Sequence, residues 1–368
     1  MPYLRTVNFS EQTLDLVIIG RSILSSLGNP AAQLYRGLIN ELSHHGHRTT
    51  YLEPADPSAR GPRDMLRSPY CEVWTYDSVD SLIQDYQPTI ASADLVMLGS
   101  GVPETDRIAS WLTQEARGIT LYYDSDLSTT LRHLDDDSDC CNTLSRRTVA
   151  SFSMFLSTTG GPALRRLQEA YGVRCARPLY ESIDPFSFYR MDIEKTYDLG
   201  FIGTYKPERE QLLDQLLLEP ARLTPNRRFA LAGDSYPPDH AWPDNLTYLE
   251  HLPETNRVDF YNRQSCTLIL SHSQRRMYGY TPSRQLLAAA ACGVPILTEN
   301  WCGLEDFFED KVEVFRVDDP QDVLDVLYGT DEYTRRRVGN GARDRVLAEH
   351  TTAHRTQQLL TYWEELAD

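Results

Sequence analysis

The hydrophobic pattern first becomes regular at Leu14 to Gly20, a short apolar run closed by glycine. A Ser/Gly/Asn/Pro loop follows, then Ala31 to His45, where Leu34, Leu38 and Leu42 recur at helical spacing. Gly46 and His47 close that helix, and Arg48 to Glu53 forms a second β-rich run. Strand, crossover helix and strand predict a parallel βαβ unit. Further strands are expected at Asp94 to Leu98, Ile119 to Tyr123, Phe152 to Ser157 and Arg174 to Leu179, with helical stretches between them. That alternation predicts a doubly wound sheet.

After Pro178 the chain runs through ESIDPFSFYRMDIEKTY, polar and aromatic with no clear period, which reads as an interdomain crossing. A second alternating series follows. Its strands are expected at Asp198 to Gly203, Phe229 to Gly233, Leu246 to Leu249, Thr267 to Ser271, Val294 to Thr298 and Val312 to Val317. Its helices are expected at Glu208 to Leu218, Arg257 to Gln264, Ser283 to Ala291, Gln321 to Leu327 and Asp331 to Glu365, the last broken near Thr351. A chain of 368 residues exceeds what one hydrophobic core serves. The expected fold is α/β, with two Rossmann-like doubly wound parallel-sheet domains facing a cleft. Their bounds are 1–180 and 181–350, with 351–368 a final helix crossing back to the first domain.

Composition narrows the function classes. The formal charge is −17, from 53 acidic and 36 basic residues, which disfavours long contacts with a phosphate backbone. Seven cysteines without a CxxC pair fit reduced thiols and offer no zinc site. The opening residues lack a basic segment followed by a long apolar run, and nowhere do about 18 apolar residues follow one another. A cytoplasmic protein without a membrane span is expected.

The most informative stretch is GYTPSRQLLAAAACGVPILTENWCGLEDFF at 279 to 308. Ser283 follows a proline and opens an Ala/Leu-rich helix, so its hydroxyl and the exposed N–H groups make an anion-ready helix start, to which Arg284 adds charge. In the first half, Asp124 and Asp126 stand at the carboxyl end of a predicted parallel strand, where open α/β sheets place ligands. They are the candidate catalytic carboxylates, and would point the same way only if the strand continued through both. A capping role is the alternative, given Ser128, Thr129 and Thr130 nearby. The loop Arg21 to Pro30, with Ser22 and Gly28, should line the same cleft on the acceptor side. It is not a dinucleotide fingerprint, because Gly20 and Gly28 stand too far apart. His44, His45 and His47 end a helix and read as structural, and DDDSD at 135 to 139 lacks the glycine and terminal glutamate of a calcium loop.

DLGFIGTYKPERE at 198 to 210, FYN at 260 to 262, P-S-x-x-L-x-x-A-A-A-C-G at 282 to 293 and WCGLEDFF at 301 to 308 together resemble bacterial glycosyltransferases of the spore-maturation-protein (CgeB-like) group, within the GT-B superfamily. The first half is similar more loosely, in YRGLINELSHHGH, YYDSD and TTGGPALRRLQEAYG. The resemblance implies that the second domain binds a nucleotide-sugar donor, UDP-linked, and that the first presents an acceptor hydroxyl. It places Gly203, Thr204 and Arg209 at the pyrophosphate and Gly233 at the cleft, where a simple turn would use Gly233-Asp234 equally well. His251 and Leu252 fall at the base, and Tyr280, Ser283 and Arg284 at the donor. It implies hexosyl transfer with no cofactor and no obligatory metal. The sequence departs from the superfamily where a glutamate usually grips the ribose: position 288 is alanine, and a second acidic position is Tyr280. Two rival readings follow, a nucleotide-sugar-binding protein without turnover and a transferase acting on modified bases in DNA, the latter opposed by the acidity.

Overall fold

The computed structural model describes residues 12–26, 29, 31–55, 63–136, 142–271 and 278–367. The chain divides into two compact units, Met1–Tyr180 together with Thr352–Asp368, and Glu181–Thr351.

The first unit holds β1 (Asp15–Ile19), β2 (Arg48–Pro54), β3 (Glu72–Tyr76), β4 (Leu95–Gly99), β5 (Ile119–Asp124), β6 (Met154–Ser157) and β7 (Ala176–Pro178). Their order is β3-β2-β1-β4-β5-β6-β7, with every neighbouring pair parallel. Helices cover such a sheet on both faces, which is why β1 and β4 read as unbroken apolar runs and are buried almost throughout. The helix Ala31–His44 buries Leu34, Leu38 and Leu42 at the expected spacing, with Tyr35 and Ile39 beside them. β3 was absent from the sequence-based expectation. It is an edge strand with only Tyr76 buried, so its residues carry little apolar alternation.

The helix Thr352–Ala367 belongs to this unit: Leu359, Leu360 and Tyr362 join the core formed by Leu34, Leu38 and the β1 side chains. It packs against Ala31–His44 at Gly37, where an added Cβ would come within 2.8 Å of the Thr352 methyl.

The second unit holds β8 (Tyr197–Ile202), β9 (Phe229–Ala232), β10 (Leu246–Leu249), β11 (Gln264–Ile269), β12 (Ile296–Thr298) and β13 (Phe315–Arg316). The order β10-β9-β8-β11-β12-β13 is again wholly parallel. In each sheet the order reverses beside its first strand, between β1 and β4 and between β8 and β11. Ligands of open α/β sheets bind outside the carboxyl ends of the strands at that point.

The helix expected at Glu208 to Leu218 is built in three pieces. It is α-helical over Pro207–Leu213, widens into a π turn over Asp214–Leu218, and closes over Glu219–Leu223. Pro220 has no N–H to return to the carbonyl four residues back, and the widened turn lies immediately before it. The long terminal helix is broken where expected, into Glu332–Glu349 and Thr352–Ala367.

Candidate functional site

In the second unit the ends of β8, β9 and β10 are tied into one platform. Gly203 follows β8 and Gly233 follows β9, and their backbones touch: a Cβ on Gly233 would lie 2.0 Å from the Gly203 carbonyl oxygen. The Tyr205 N–H donates to the Asp234 carbonyl (2.9 Å), the Tyr236 hydroxyl to the Gly203 carbonyl (3.0 Å) and the Tyr248 hydroxyl to the Gly233 carbonyl (3.0 Å). Thr204 is left exposed on this platform. Arg209 is only 5% exposed, and its Nη2 donates to the Thr204 carbonyl (2.6 Å). A guanidinium held beneath an exposed backbone loop gives that loop a positive field, suited to an approaching anion. His251 is exposed and Leu252 half-buried on the loop after β10.

Ser283 caps the helix Arg284–Ala291, its Oγ accepting from the Leu286 N–H (3.2 Å). The loop before it is folded tightly on Trp301–Gly303. Tyr280 sits in the left-handed region (φ 49°) and donates its N–H to the Cys302 carbonyl (2.7 Å). Gly303, also at positive φ, passes so close that a Cβ there would fall 2.6 Å from the Tyr280 ring. Arg284 is committed within its own unit. Nη1 donates to the Ser182 carbonyl (3.3 Å), Nη2 lies 3.6 Å from Glu254 Oε1, and the guanidinium stands 5.8 Å from the centre of the Phe188 ring. Ala288 is buried in the run Leu286–Ala291. Glu299 was not anticipated from sequence. It follows β12, is 4% exposed, and accepts the Ser271 N–H through Oε1 (2.6 Å), which holds the chain just beyond β11. Its signal was a lone carboxylate directly after the apolar run Val294 to Thr298.

In the first unit Asp124 is the last residue of β5 and is fully buried. Its Oδ1 accepts the Asp126 N–H (2.7 Å). Burial pushes the carboxyl up to about 7. The Thr130 hydroxyl and the Asp126 N–H oppose that rise, and the Asp126 charge adds to it. Asp126 lies beyond the strand and serves the start of the helix Leu127–Asp136, accepting from the Ser128 hydroxyl (2.7 Å), the Thr129 hydroxyl (2.8 Å) and the Thr129 N–H (3.3 Å). Because β5 stops at Asp124, strand alternation does not put the two carboxylates on one face. One is sealed in the sheet edge, and the other is exposed and capping.

The neighbouring loop after β1 is held from four directions. Ser22 offers its carbonyl to Asn29 Nδ2 (2.7 Å), Ile23 donates its N–H to Glu53 (2.8 Å), Tyr51 donates its hydroxyl to the Arg21 carbonyl (2.7 Å), and Asp64 accepts the Ser26 N–H (3.0 Å). Asp64 is itself gripped by the fork of Arg36 at 2.8 and 2.9 Å, which holds its carboxyl well below the usual range. Gly28 and part of DDDSD lie outside the described residues. Among the described residues no three His, Cys, Asp or Glu side chains come together as metal ligands. His47 accepts the Leu14 N–H through Nδ1 (3.2 Å), a structural role.

Two doubly wound units, each reversing beside its first strand, define the GT-B fold. Residues 209–361 match the protein-family model described as glycosyl transferase-like. No curated protein matches the chain in sequence. Among solved structures the chain is similar to sucrose-phosphate synthase (tll1590) from Thermosynechococcus elongatus, at TM-score 0.66 and 14% identity, covering 96% of this chain and 99% of that one. It is similar to Anabaena Alr3699/HepE in complex with UDP-glucose, at TM-score 0.65 and 14% identity over 96% and 100% of the two chains. A third is an alpha-glucosyltransferase in complex with UDP and a 13-mer DNA containing an HMU base, at TM-score 0.67 and 12% identity, again over 96% and 100%. At these identities the likeness is one of fold. Among the described residues no helix is long and apolar enough to cross a membrane.

Proposed function

We propose that the chain is a glycosyltransferase that moves a hexosyl group from a UDP-linked donor to an acceptor hydroxyl, without an obligatory metal and without a cofactor. The observation that carries this reading is the buried Arg209 guanidinium beneath the Gly203–Thr204 loop, in a chain whose residues 209–361 match the glycosyl transferase-like model. The GT-B fold shared with structures solved with UDP supports it. Within the superfamily, the motifs at 198 to 210, 260 to 262, 282 to 293 and 301 to 308 favour the spore-maturation-protein group.

In this reading the donor diphosphate lies over Thr204 and the start of the helix Arg284–Ala291. Exposed N–H groups and the field of Arg209 offset the charge that builds on the leaving group. Gly233 keeps the platform thin enough for the donor to approach backbone. Ser22, Gly28 and the Asp124–Asp126 turn belong to the acceptor side. With Asp124 sealed and tied to the Asp126 N–H, its part is to hold that turn in shape. Ala288 leaves the ribose hydroxyls without a carboxylate at that position.

UDP should raise the unfolding temperature of the full chain, since a ligand bound only to the native state stabilises it by about 2.7 kcal/mol at a hundred times Kd. UDP-glucose should be hydrolysed slowly or transferred when acceptors are supplied. If uridine, guanosine, adenosine and thymidine diphosphates all fail to shift the transition at millimolar concentration, the donor site is not there. A clear shift with no turnover on any donor selects the binding protein without turnover.

A further inference from the structure

The second unit carries a cavity that the donor reading leaves unused. It lies between the three-part helix Pro207–Leu223 and the connection from β9 to β10, and encloses about 230 Å³. One wall is aromatic, made by Tyr205, Tyr236 and His240. These rings belong to a larger packed block: Tyr236 lies 5.5 Å from Tyr205 and 5.3 Å from Trp242, His240 lies 4.2 Å from Trp242, and Trp242 stacks on Tyr248 at 4.8 Å. The wall is therefore rigid before any ligand arrives. The facing wall is mixed: the helix presents Leu213 and Leu218 together with Glu210, Gln211, Asp214 and Arg222. The Arg222 Nη1 donates to Asp214 (2.9 Å), and Glu210 accepts from the Tyr205 hydroxyl (3.0 Å).

Size, shape and charge together select the occupant. The volume falls below the roughly 300 Å³ at which drug-sized ligands begin to fit, so it suits one ring. Two carboxylates against one guanidinium leave a net negative charge, which disfavours phosphate here, although Tyr205, Glu210, Leu213 and Tyr236 also border the adjoining Thr204–Arg209 platform. The aromatic rings meet edge to face, Tyr205 at 61° and His240 at 73° to Tyr236, so one ring face at a time is offered opposite the carboxylates; that matches a ring with a C–H face and a hydroxyl rim, because the negative π face attracts the weakly positive C–H groups. Two backbone features sit at the same place. The π turn Asp214–Leu218 supplies Asp214 and Leu218 to the lining, and such turns gather at functional sites. Ser235, immediately before Tyr236, holds a left-handed conformation (φ 65°) that costs energy in a residue other than glycine.

We infer that this cavity is a binding site for a single neutral pyranose ring, stacked on the face of Tyr205 and met by Tyr236, which stands at 61° to it, with its hydroxyls on Glu210 and Asp214. It is a sugar-recognition site additional to the donor site, and it stands on its own walls whether or not UDP binds next to it. Tyr205 adjoins Thr204, so an occupied ring would stiffen the donor platform from below.

The test is saturation-transfer NMR on the full chain with the methyl glycosides of glucose, galactose, mannose and N-acetylglucosamine at millimolar concentration. At least one should receive saturation, and excess UDP should leave that signal in place. Ala241→Trp fills the cavity without removing a paired group, and should weaken the signal at least tenfold while the UDP-induced thermal shift stays at its wild-type value. Should that variant fail to fold by circular dichroism, the isosteric pair Glu210→Gln and Asp214→Asn takes its place, with a loss of at least fivefold expected. The inference is overturned if no sugar receives saturation, if UDP displaces the sugar, or if folded cavity variants bind as the wild type does. Loss of the UDP shift with sugar binding intact would instead remove the donor reading alone.

Discussion

Asp124 shows how a single side chain sets a pH dependence. Its carboxyl titrates near 7 in the fold and near 4 in an unfolded chain, because burial disfavours the charge. Between those values the folded state holds a proton that the unfolded state has released, so stability falls as pH rises through this window. The loss amounts to a few kcal/mol, at about 1.4 kcal/mol per unit of displacement. Asp124→Asn should flatten the fall in unfolding midpoint between about pH 4 and 7, read by denaturant titration at each pH, and should leave UDP affinity within about threefold. An unchanged slope would assign the pH dependence to other groups. Gly233 gives the second residue-scale prediction. Any Cβ there meets the Gly203 carbonyl at 2.0 Å, a backbone atom that cannot swing aside. Gly233→Ala should cost about 1 to 3 kcal/mol of stability as overpacking does, and should weaken UDP binding by calorimetry at least tenfold, since the strand end that moves carries Thr204. Sequence spacing disclosed both carboxylates of the Asp124–Asp126 pair but not their division of labour. That depended on β5 ending at the first of them, and strand ends are set by partners elsewhere in the sheet.

At the scale of elements, the cap at Ser283 was readable because Pro-Ser before an Ala/Leu-rich run is a local signal. Ser283→Ala should cost about 1 kcal/mol, the usual worth of such a cap, measured by chemical denaturation. Arg284 was legible only as a charge. Its partners, the Ser182 carbonyl and Glu254, lie far off in the chain, and only the fold brings them together. Arg284→Ala should lower stability by at most about 1 kcal/mol for a partly exposed pair and leave the UDP dissociation constant within about threefold, whereas Glu254→Gln also loses the closer pair with Arg257 at 2.7 Å and should leave UDP affinity equally unchanged. A tenfold loss of UDP affinity in Arg284→Ala alone would return the guanidinium to the diphosphate. The strand β3 and the π turn Asp214–Leu218 were beyond reach of periodicity. The first is too exposed to alternate, and the second differs from an α-helix by only about one residue per turn, too little for the pattern of DQLLL to reveal.

At the scale of the whole molecule, the two alternating series and the break near Thr351 were legible because parallel strands buried on both faces leave long apolar runs between amphipathic helices. The cavity beside Tyr236 was not, since its aromatic residues are spread from 205 to 240 and converge only through the β9 to β10 connection.

The return of the helix Thr352–Ala367 to the first unit has a consequence for biosynthesis. Leu359, Leu360 and Tyr362 emerge from the ribosome after every residue of the second unit, yet they close the core around Leu34 and Leu38. At typical elongation rates the first unit waits on the order of 10 to 30 seconds with that surface open, while its neighbour completes its own core. Released chains truncated before residue 352 should show a protease-resistant second unit and a first unit still open to cleavage, and restoring Thr352–Ala367 should protect the first unit. The order of maturation thus runs opposite to the order of synthesis, and loss of the helix Thr352–Ala367 would act first on the unit made earliest.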